Sequence, residues 1–207
     1  MTTELVVVGL AYLAGSVPSA YLVVILLTGR DVRRTGSGNV GATNAVRAAG
    51  WTAGAMVAVI DVAKGLVPVL AMSALDPASR WLGAAATAAV LGHCFPVWLR
   101  FRGGKGVATA CGAFATLAPY SVLIAAAVWL VVLAVRRTVS LASVIAVAVF
   151  PMLVVFVERA PFGLVVAATI IAAVIVIRHH TNIARLAAGT EPKIGERHPW
   201  DRDGGGE

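Results

Sequence analysis

Residues 107–135 read VATACGAFATLAPYSVLIAAAVWLVVLAV, without one charged side chain, and whether this stretch crosses a membrane once or twice decides the fold. About 17 to 25 apolar residues span the hydrocarbon core of a bilayer, so it is long for one crossing and short for two. Proline is poorly tolerated inside a helix, and Ala118-Pro119-Tyr120 lies within the stretch. Flanking charge discriminates. With a break at the proline the chain makes seven spans, and with the N-terminus outside, fourteen lysines and arginines share the cytoplasmic side against Arg80 and Arg159 outside. With no break there are six spans and each side carries eight. Basic residues concentrate on the cytoplasmic side, which selects seven. The fourth span, 107–117, is then odd, because it rises only about 16 Å, roughly half a bilayer. Either it begins back in Gly103-Gly104-Lys105-Gly106 or the membrane is thin there, and a short helix opening at a glycine-rich cytoplasmic loop suits an anion.

The composition agrees with a membrane chain. Hydrophobic residues make up 59% of the 207 and charged residues 13%, more apolar surface than a soluble domain of this length can hide. Further apolar runs lie at 5–27, 51–75, 81–99, 120–135, 139–157 and 162–177. The expected fold is all-α: a polytopic integral membrane protein of about seven transmembrane helices, N-terminus outside and C-terminus cytoplasmic. Glu4 stands where a signal peptide would be basic, so the first run reads as a retained span. A single domain, 1–207, is expected, with 196–207 a disordered cytoplasmic tail. The net charge of +7 falls in the short gaps between apolar runs, a pattern of topology and of anionic lipid or substrate rather than nucleic acid. Cys94 and Cys111 have no histidine or cysteine cluster beside them and read as inert thiols; no metal or cofactor is expected.

Three polar stretches share the cytoplasmic side by this parity: GSGNVGATNAVR at 36–47, FRGGKGVAT at 101–109 and RHHTNIARLAAGTEPK at 178–193. GSGNVG has the spacing of a dinucleotide fingerprint but follows a membrane span instead of a strand. GGKG lacks the metal-binding hydroxyl of a phosphate-binding Walker loop. The chemistry outlives both labels. Gly38, Gly41, Gly103 and Gly104 let backbone amides converge on an anion. Ser37, Asn39, Thr43 and Asn44 add neutral donors, and Arg47 and Lys105 add charge. The plainer alternative is that glycine only turns the chain and the cations only set topology.

Other polar residues each carry two readings. Asp61 and Lys64 stand at i and i+3 on one face of the second span: a structural ion pair, or Lys64 reaching an anionic substrate with Asp61 orienting it. His93 is either a general base or a hydrogen-bonded structural residue. Ser140 and Ser143 enter the sixth span near its cytoplasmic end, as substrate contacts or as a cap. Asn182 and Arg185 clamp a phosphate, or Arg185 meets lipid headgroups.

In order, GSVPSAYL, GSGNVGATNAVR, DVAKG, GHCFPVWLRFRGGKGVAT, SLAS and TNIARLAAGTEPK resemble the bacterial membrane-bound acyl-phosphate:glycerol-3-phosphate acyltransferases from about Gly15 to Gly195. Arg102 stands where many relatives carry lysine. The resemblance implies transfer of a fatty acyl group from acyl phosphate to the 1-hydroxyl of glycerol 3-phosphate, giving lysophosphatidic acid. It implies Ser37, Arg47, Lys105, Ser143 and Asn182 as ligands of glycerol 3-phosphate, and the backbone from Gly38 to Thr43, with Gly103 and Gly104, as a cradle for the acyl phosphate. It also raises the functional reading of His93 without giving it a role. Membrane lipids and a soluble acyl-phosphate-producing enzyme are the implied partners.

An acyl phosphate is a mixed anhydride with a good leaving group, so no acyl-enzyme is required, and no Ser-His-Asp or Cys-His set offers a nucleophile. Direct attack by the glycerol hydroxyl is expected, its proton going to a substrate phosphate in preference to His93. The rival classes are a transporter of phosphorylated solutes, which the intramembrane Asp61 and Lys64 would suit, and a non-enzymatic scaffold.

Overall fold

The computed structural model describes residues 2–195 other than Ser79. The expected tail at 196–207, with Arg197 and Arg202 of the charge count, lies outside the described residues. Among those described the chain is helical, with no strand: α1 Thr2–Gly15, α2 Ser19–Thr28, α3 Ala42–Leu75, α4 Leu82–Cys94, α5 Val107–Phe114, α6 Pro119–Arg136, α7 Val139–Phe156, α8 Phe162–Arg178 and α9 His180–Ala187.

Local chemistry places the breaks. Pro18 separates α1 from α2, and Gly29, at φ 68°, ends α2 in a left-handed cap whose amide donates to the Ile25 carbonyl. Gly50, at φ 84° and ψ 177°, kinks α3 and sets its first turns apart from the long apolar shaft. Pro119 opens α6 at its first turn, where the missing N–H costs nothing. The Ser121 amide there donates to Glu158 Oε1, tying the start of α6 to the end of α7.

Five stretches are long and apolar enough to cross a membrane, or six if α8 and α9, bent by 57° at His179, count as one. That is fewer than the expected seven, and the difference is α5. It ends at Phe114 and not Leu117, eight residues in all. One face of this short helix packs on protein, while Cys111 on it is exposed. Thr109, Gly112, Ala113 and Phe114 are buried, and α5 lies against α3 and α4. A Cβ on Gly65 of α3 would strike the Thr109 carbonyl, and one on Gly112 of α5 the Val62 carbonyl, so the two backbones touch. Gly15 and Gly92 do the same for α1 and α4. Small residues at helix crossings are how membrane helices gain dispersion contacts without a hydrophobic drive.

The apolar core joins α4, α5, α7 and α8 around Val90, Phe114, Val154, Ile171 and Ile175. Phe114 meets Phe150 edge-on at 5.0 Å between centroids. Outward residues such as Leu26, 82% exposed, and Phe162, 83% exposed, can be shielded from water only by lipid. The helices leave the start of α3, the loop before α5, the α6–α7 turn and the end of α8 to line common cavities.

Candidate active site

The stretch 36–44 is pinned by one side chain. Asn44 Oδ1 accepts from the Ser37 amide at 3.1 Å, while its Nδ2 donates to the Val32 and Thr35 carbonyls, both at 2.9 Å. Gly36 sits at φ 54°, where an added Cβ would strike Asn44 and crowd Arg47, and Gly38 sits at φ 69°. The amides of Asn39, Gly41, Ala42 and Thr43 make no hydrogen bond among the described residues, as the open first turn of a helix requires. Ser37, Asn39, Gly41, Thr43, Asn44 and Arg47 all line one large cavity. Asn44 does so with its side chain spent on the loop, so it shapes the site and has no free donor for a substrate.

The GGKG loop corrects the sequence reading. The Gly103 amide donates to the Cys94 carbonyl at 3.2 Å and the Gly104 amide to the His93 carbonyl at 3.1 Å, capping the open end of α4. Neither is free to cradle a phosphate. Arg178 holds the other side of the loop, Nη2 to the Gly103 carbonyl at 2.7 Å and Nε to the Gly104 carbonyl at 3.1 Å, with its guanidinium 5.4 Å from the Phe95 ring centroid. A Cβ on Gly104 would collide with the His93 imidazole. Glycine is therefore needed here for close approach, and the loop's product is the placement of Lys105.

Lys105 has no carboxylate partner among the described residues. Burial pushes its ammonium down to about 8; Glu191 opposes that, and Arg185, Arg47 and Arg178 reinforce it. At about 8 the ammonium still carries its charge for the most part at pH 7, half-buried and with like charges near it.

Lys64 is the second correction. Its ammonium is 2.9 Å from Asp61 and donates to the Val17 carbonyl at 3.0 Å, and it lines neither of the cavities described here. The structural ion pair prevails over the substrate contact, because the break at Pro18 frees a carbonyl that claims the third partner of the cluster. Asp61 also accepts from Ser19 and stands 3.6 Å from His93 Nδ1, beyond good hydrogen-bonding range. His93 is buried, its Nδ1 has no hydrogen-bond partner among the described residues, and it lines the large cavity with Asp61.

Glu191 was not singled out from sequence. Its Oε1 accepts from Ser140 Oγ at 2.7 Å and Asn182 Nδ2 at 2.6 Å, and its Oε2 from Arg185 Nε at 2.7 Å. Burial raises its pKa, but these three bonds outweigh it and hold the carboxyl below the usual range. Asn182 Oδ1 is left buried without a partner. The strap carrying Glu191 is closed by a two-way bond between Ile194 and Arg137, amide to carbonyl at 2.7 Å and Nη2 to carbonyl at 2.8 Å. Ser143 Oγ accepts from Trp129 Nε1 at 3.1 Å.

Two cavities result. The larger, about 1010 Å³, gathers the residues around Arg47, Lys105, His93, Ser143, Asn182 and Arg185 at its polar end, and runs down between α3, α5, α6, α7 and α8 past Trp129 and Val147 to Val122 and Phe150. The smaller, about 290 Å³, includes Gly38, Gly103, Arg102 and Arg178, and shares Ser37, Asn39, Lys105, Asn182 and Arg185 with its neighbour. Gly104 lines neither. Cations and neutral donors at one end and a hydrocarbon-lined shaft at the other suit a phosphorylated headgroup on an acyl chain.

The sequence model of the glycerol-3-phosphate acyltransferase family matches residues 5–189. The chain belongs to that family. It is 47% identical over 191 residues to the glycerol-3-phosphate acyltransferase of Geotalea daltonii, covering 92% of this chain and 97% of the relative. To that of Geobacter sulfurreducens it is 45% identical, covering 94% and 99%. The fold is similar to a crystal structure of PlsY (YgiH), an integral membrane glycerol 3-phosphate acyltransferase, in its glycerol 3-phosphate form, with a TM-score of 0.89 and 40% identity over 93% of this chain and 96% of that one. To the lysophosphatidic acid form the TM-score is 0.84. Family membership and the apolar helices together make this acyltransferase relative a multi-pass membrane protein, and they favour an enzyme over a transporter.

Proposed function

We propose that the protein transfers a fatty acyl group from acyl phosphate to the 1-hydroxyl of glycerol 3-phosphate, giving lysophosphatidic acid and inorganic phosphate. The observation that carries this reading is the large cavity, in which Arg47 and Lys105 stand at the head of an apolar shaft. A phosphate dianion needs the first and an acyl chain the second.

The donor phosphate sits at the start of α3, on the open amides of Gly41, Ala42 and Thr43, with its chain in the shaft. Glycerol 3-phosphate is held by Ser37, Arg47, Lys105 and Ser143, and the unpartnered Asn182 Oδ1 accepts from a glycerol hydroxyl. The hydroxyl oxygen bonds to the acyl carbonyl carbon as the bond from that carbon to the phosphate oxygen breaks, and the proton leaves on the phosphate. Proximity in a water-poor cavity and cationic stabilisation of the developing charge supply the acceleration. His93, short of a good bond to Asp61, supports the GGKG loop and is not the proton acceptor.

The chain is taken as one membrane domain of seven crossings, with α5 as the short fourth, the N-terminus outside and the active site facing the cytoplasm, where a soluble acyl-phosphate-producing enzyme supplies the donor. The bond joining the start of α6 to the end of α7, opposite the cavity mouth, supports that path. Purified protein given acyl phosphate and radiolabelled glycerol 3-phosphate should form labelled lysophosphatidic acid. No product from well-folded protein, or uptake of label into sealed vesicles without any covalent product, would refute the reading.

A further inference from the structure

Two short turns away from both cavities share one construction. The 3₁₀ turns Val32–Arg34, after α2, and Val97–Leu99, after α4, each press one apolar residue, Val32 and Leu99, into a common core cluster with Val24, Val40 and Val57. The residues left outside are basic and aromatic. Arg30, Arg34 and Arg100 are exposed, and so are Trp98 and Phe101. Asp31, the one acid in these two segments, is taken up by Arg33 at 2.6 Å, whose guanidinium also lies 5.1 Å from the Tyr21 ring centroid. Arg30, Arg34 and Arg100 form no ion pair among the described residues.

Arg100 and Phe101 both take left-handed φ, 52° and 62°, which residues with a Cβ avoid. The Phe101 amide, donating to the Pro96 carbonyl at 2.9 Å, holds that geometry, and with it Leu99 stays buried while Arg100 and Phe101 stay outside. Position identifies the partner. The exposed Leu26 precedes Arg30 by about one helical turn, so the cations stand where hydrocarbon gives way to headgroups, the depth at which aromatic rings gather. We infer that this surface docks anionic phospholipid headgroups of the bordering leaflet, with Arg30, Arg34 and Arg100 facing their phosphodiesters and Trp98 and Phe101 set among the upper chain carbons. It stands apart from the function proposed above, because it needs neither substrate.

Full-length protein in phosphatidylcholine vesicles, doped with spin-labelled phosphatidylglycerol or spin-labelled phosphatidylcholine, tests it through the fraction of each label immobilised on the protein. The unmodified protein should immobilise more of the phosphatidylglycerol, and added salt should shrink that excess. Arg30→Gln, Arg34→Gln and Arg100→Gln together should abolish it, by about fivefold in relative affinity for each arginine. Arg100→Gln alone, which leaves two arginines to orient the chain, should remove part of it. Arg80→Gln and Arg159→Gln, at the opposite end of the helices, should leave it intact. Equal immobilisation of the two labels by the unmodified protein, or an excess lost equally in the opposite-end variants, would overturn the inference. An excess untouched by the three arginine changes would overturn it as well, and loss of binding to an acidic soluble protein in that variant would then give the surface to a protein partner.

Discussion

Replacing Lys105 with methionine should cut activity and raise stability together. In the folded protein burial holds the ammonium at about 8, below its usual value near 10.4, so folding disfavours its charged form. The sign follows: the penalty is fully present below pH 8, fades as pH rises from there, and is gone above the unfolded pKa. At pH 7 its upper bound is about 3 kcal/mol, at 1.36 kcal/mol for each pKa unit. Methionine removes it, so Lys105→Met should unfold at a higher temperature than the parent at pH 7, with the gap closing near pH 10. Activity should move the other way. Losing one charge-assisted contact to phosphate costs about 1.5 to 3 kcal/mol, or about tenfold to a hundredfold in kcat/KM. Thermal unfolding in detergent and initial rates at matched protein concentration measure the two. A variant both less stable and nearly as active would show that Lys105 is a structural or topological cation and no phosphate ligand.

KM for glycerol 3-phosphate should rise above pH 8 as Lys105 loses its proton, and below about pH 6 as the substrate becomes a monoanion; a flat profile across this range would remove Lys105 from the site. Gly41→Val should raise KM for the donor with little loss of fold, since its φ of −140° is ordinary and an added Cβ meets only the Asn39 side-chain amide; normal donor kinetics would return 36–44 to a mere turn. His93→Gln should slow turnover by less than about tenfold, because a general base would cost about 10² to 10⁴; a loss of that larger size in folded protein would make His93 the proton acceptor. Gly65→Leu should fail to give stable protein, as its side chain would drive into the Thr109 carbonyl where α3 and α5 touch; a normal unfolding temperature would deny that contact its place in the fold.

Sequence contrast alone made the three polar stretches legible, since glycine, hydroxyl and basic residues stand out against long apolar runs, and residues from all three meet around the two cavities. It could not say which way an amide points. Gly103 and Gly104 read as an anion cradle because both lack a side chain, yet α4 ends at Cys94 and its carbonyls claim those N–H groups. Lys64 was visible as a partner of Asp61 at i and i+3, but its bond to Val17 depends on where α1 breaks, which lies forty-seven residues away in sequence. Glu191 was invisible as a site residue because nothing periodic joins it to Asn182 and Arg185; only the turn after α9 brings it back. The fourth apolar run was read as a short span over 107–117, and the helix is shorter still, Val107–Phe114, held by glycine contacts with α3 that no local pattern encodes.

The central claim is direct transfer from acyl phosphate within a single cavity. Mixing stoichiometric protein with acyl phosphate, first alone and then with glycerol 3-phosphate, while following inorganic phosphate and the intact mass of the protein, tests it most directly. The account predicts no burst of phosphate and no acylated protein with the donor alone, then phosphate and lysophosphatidic acid in equal amounts once the acceptor is added. A phosphate burst with an acyl-mass adduct on the chain, or efficient turnover with acyl-coenzyme A in place of acyl phosphate, would contradict it.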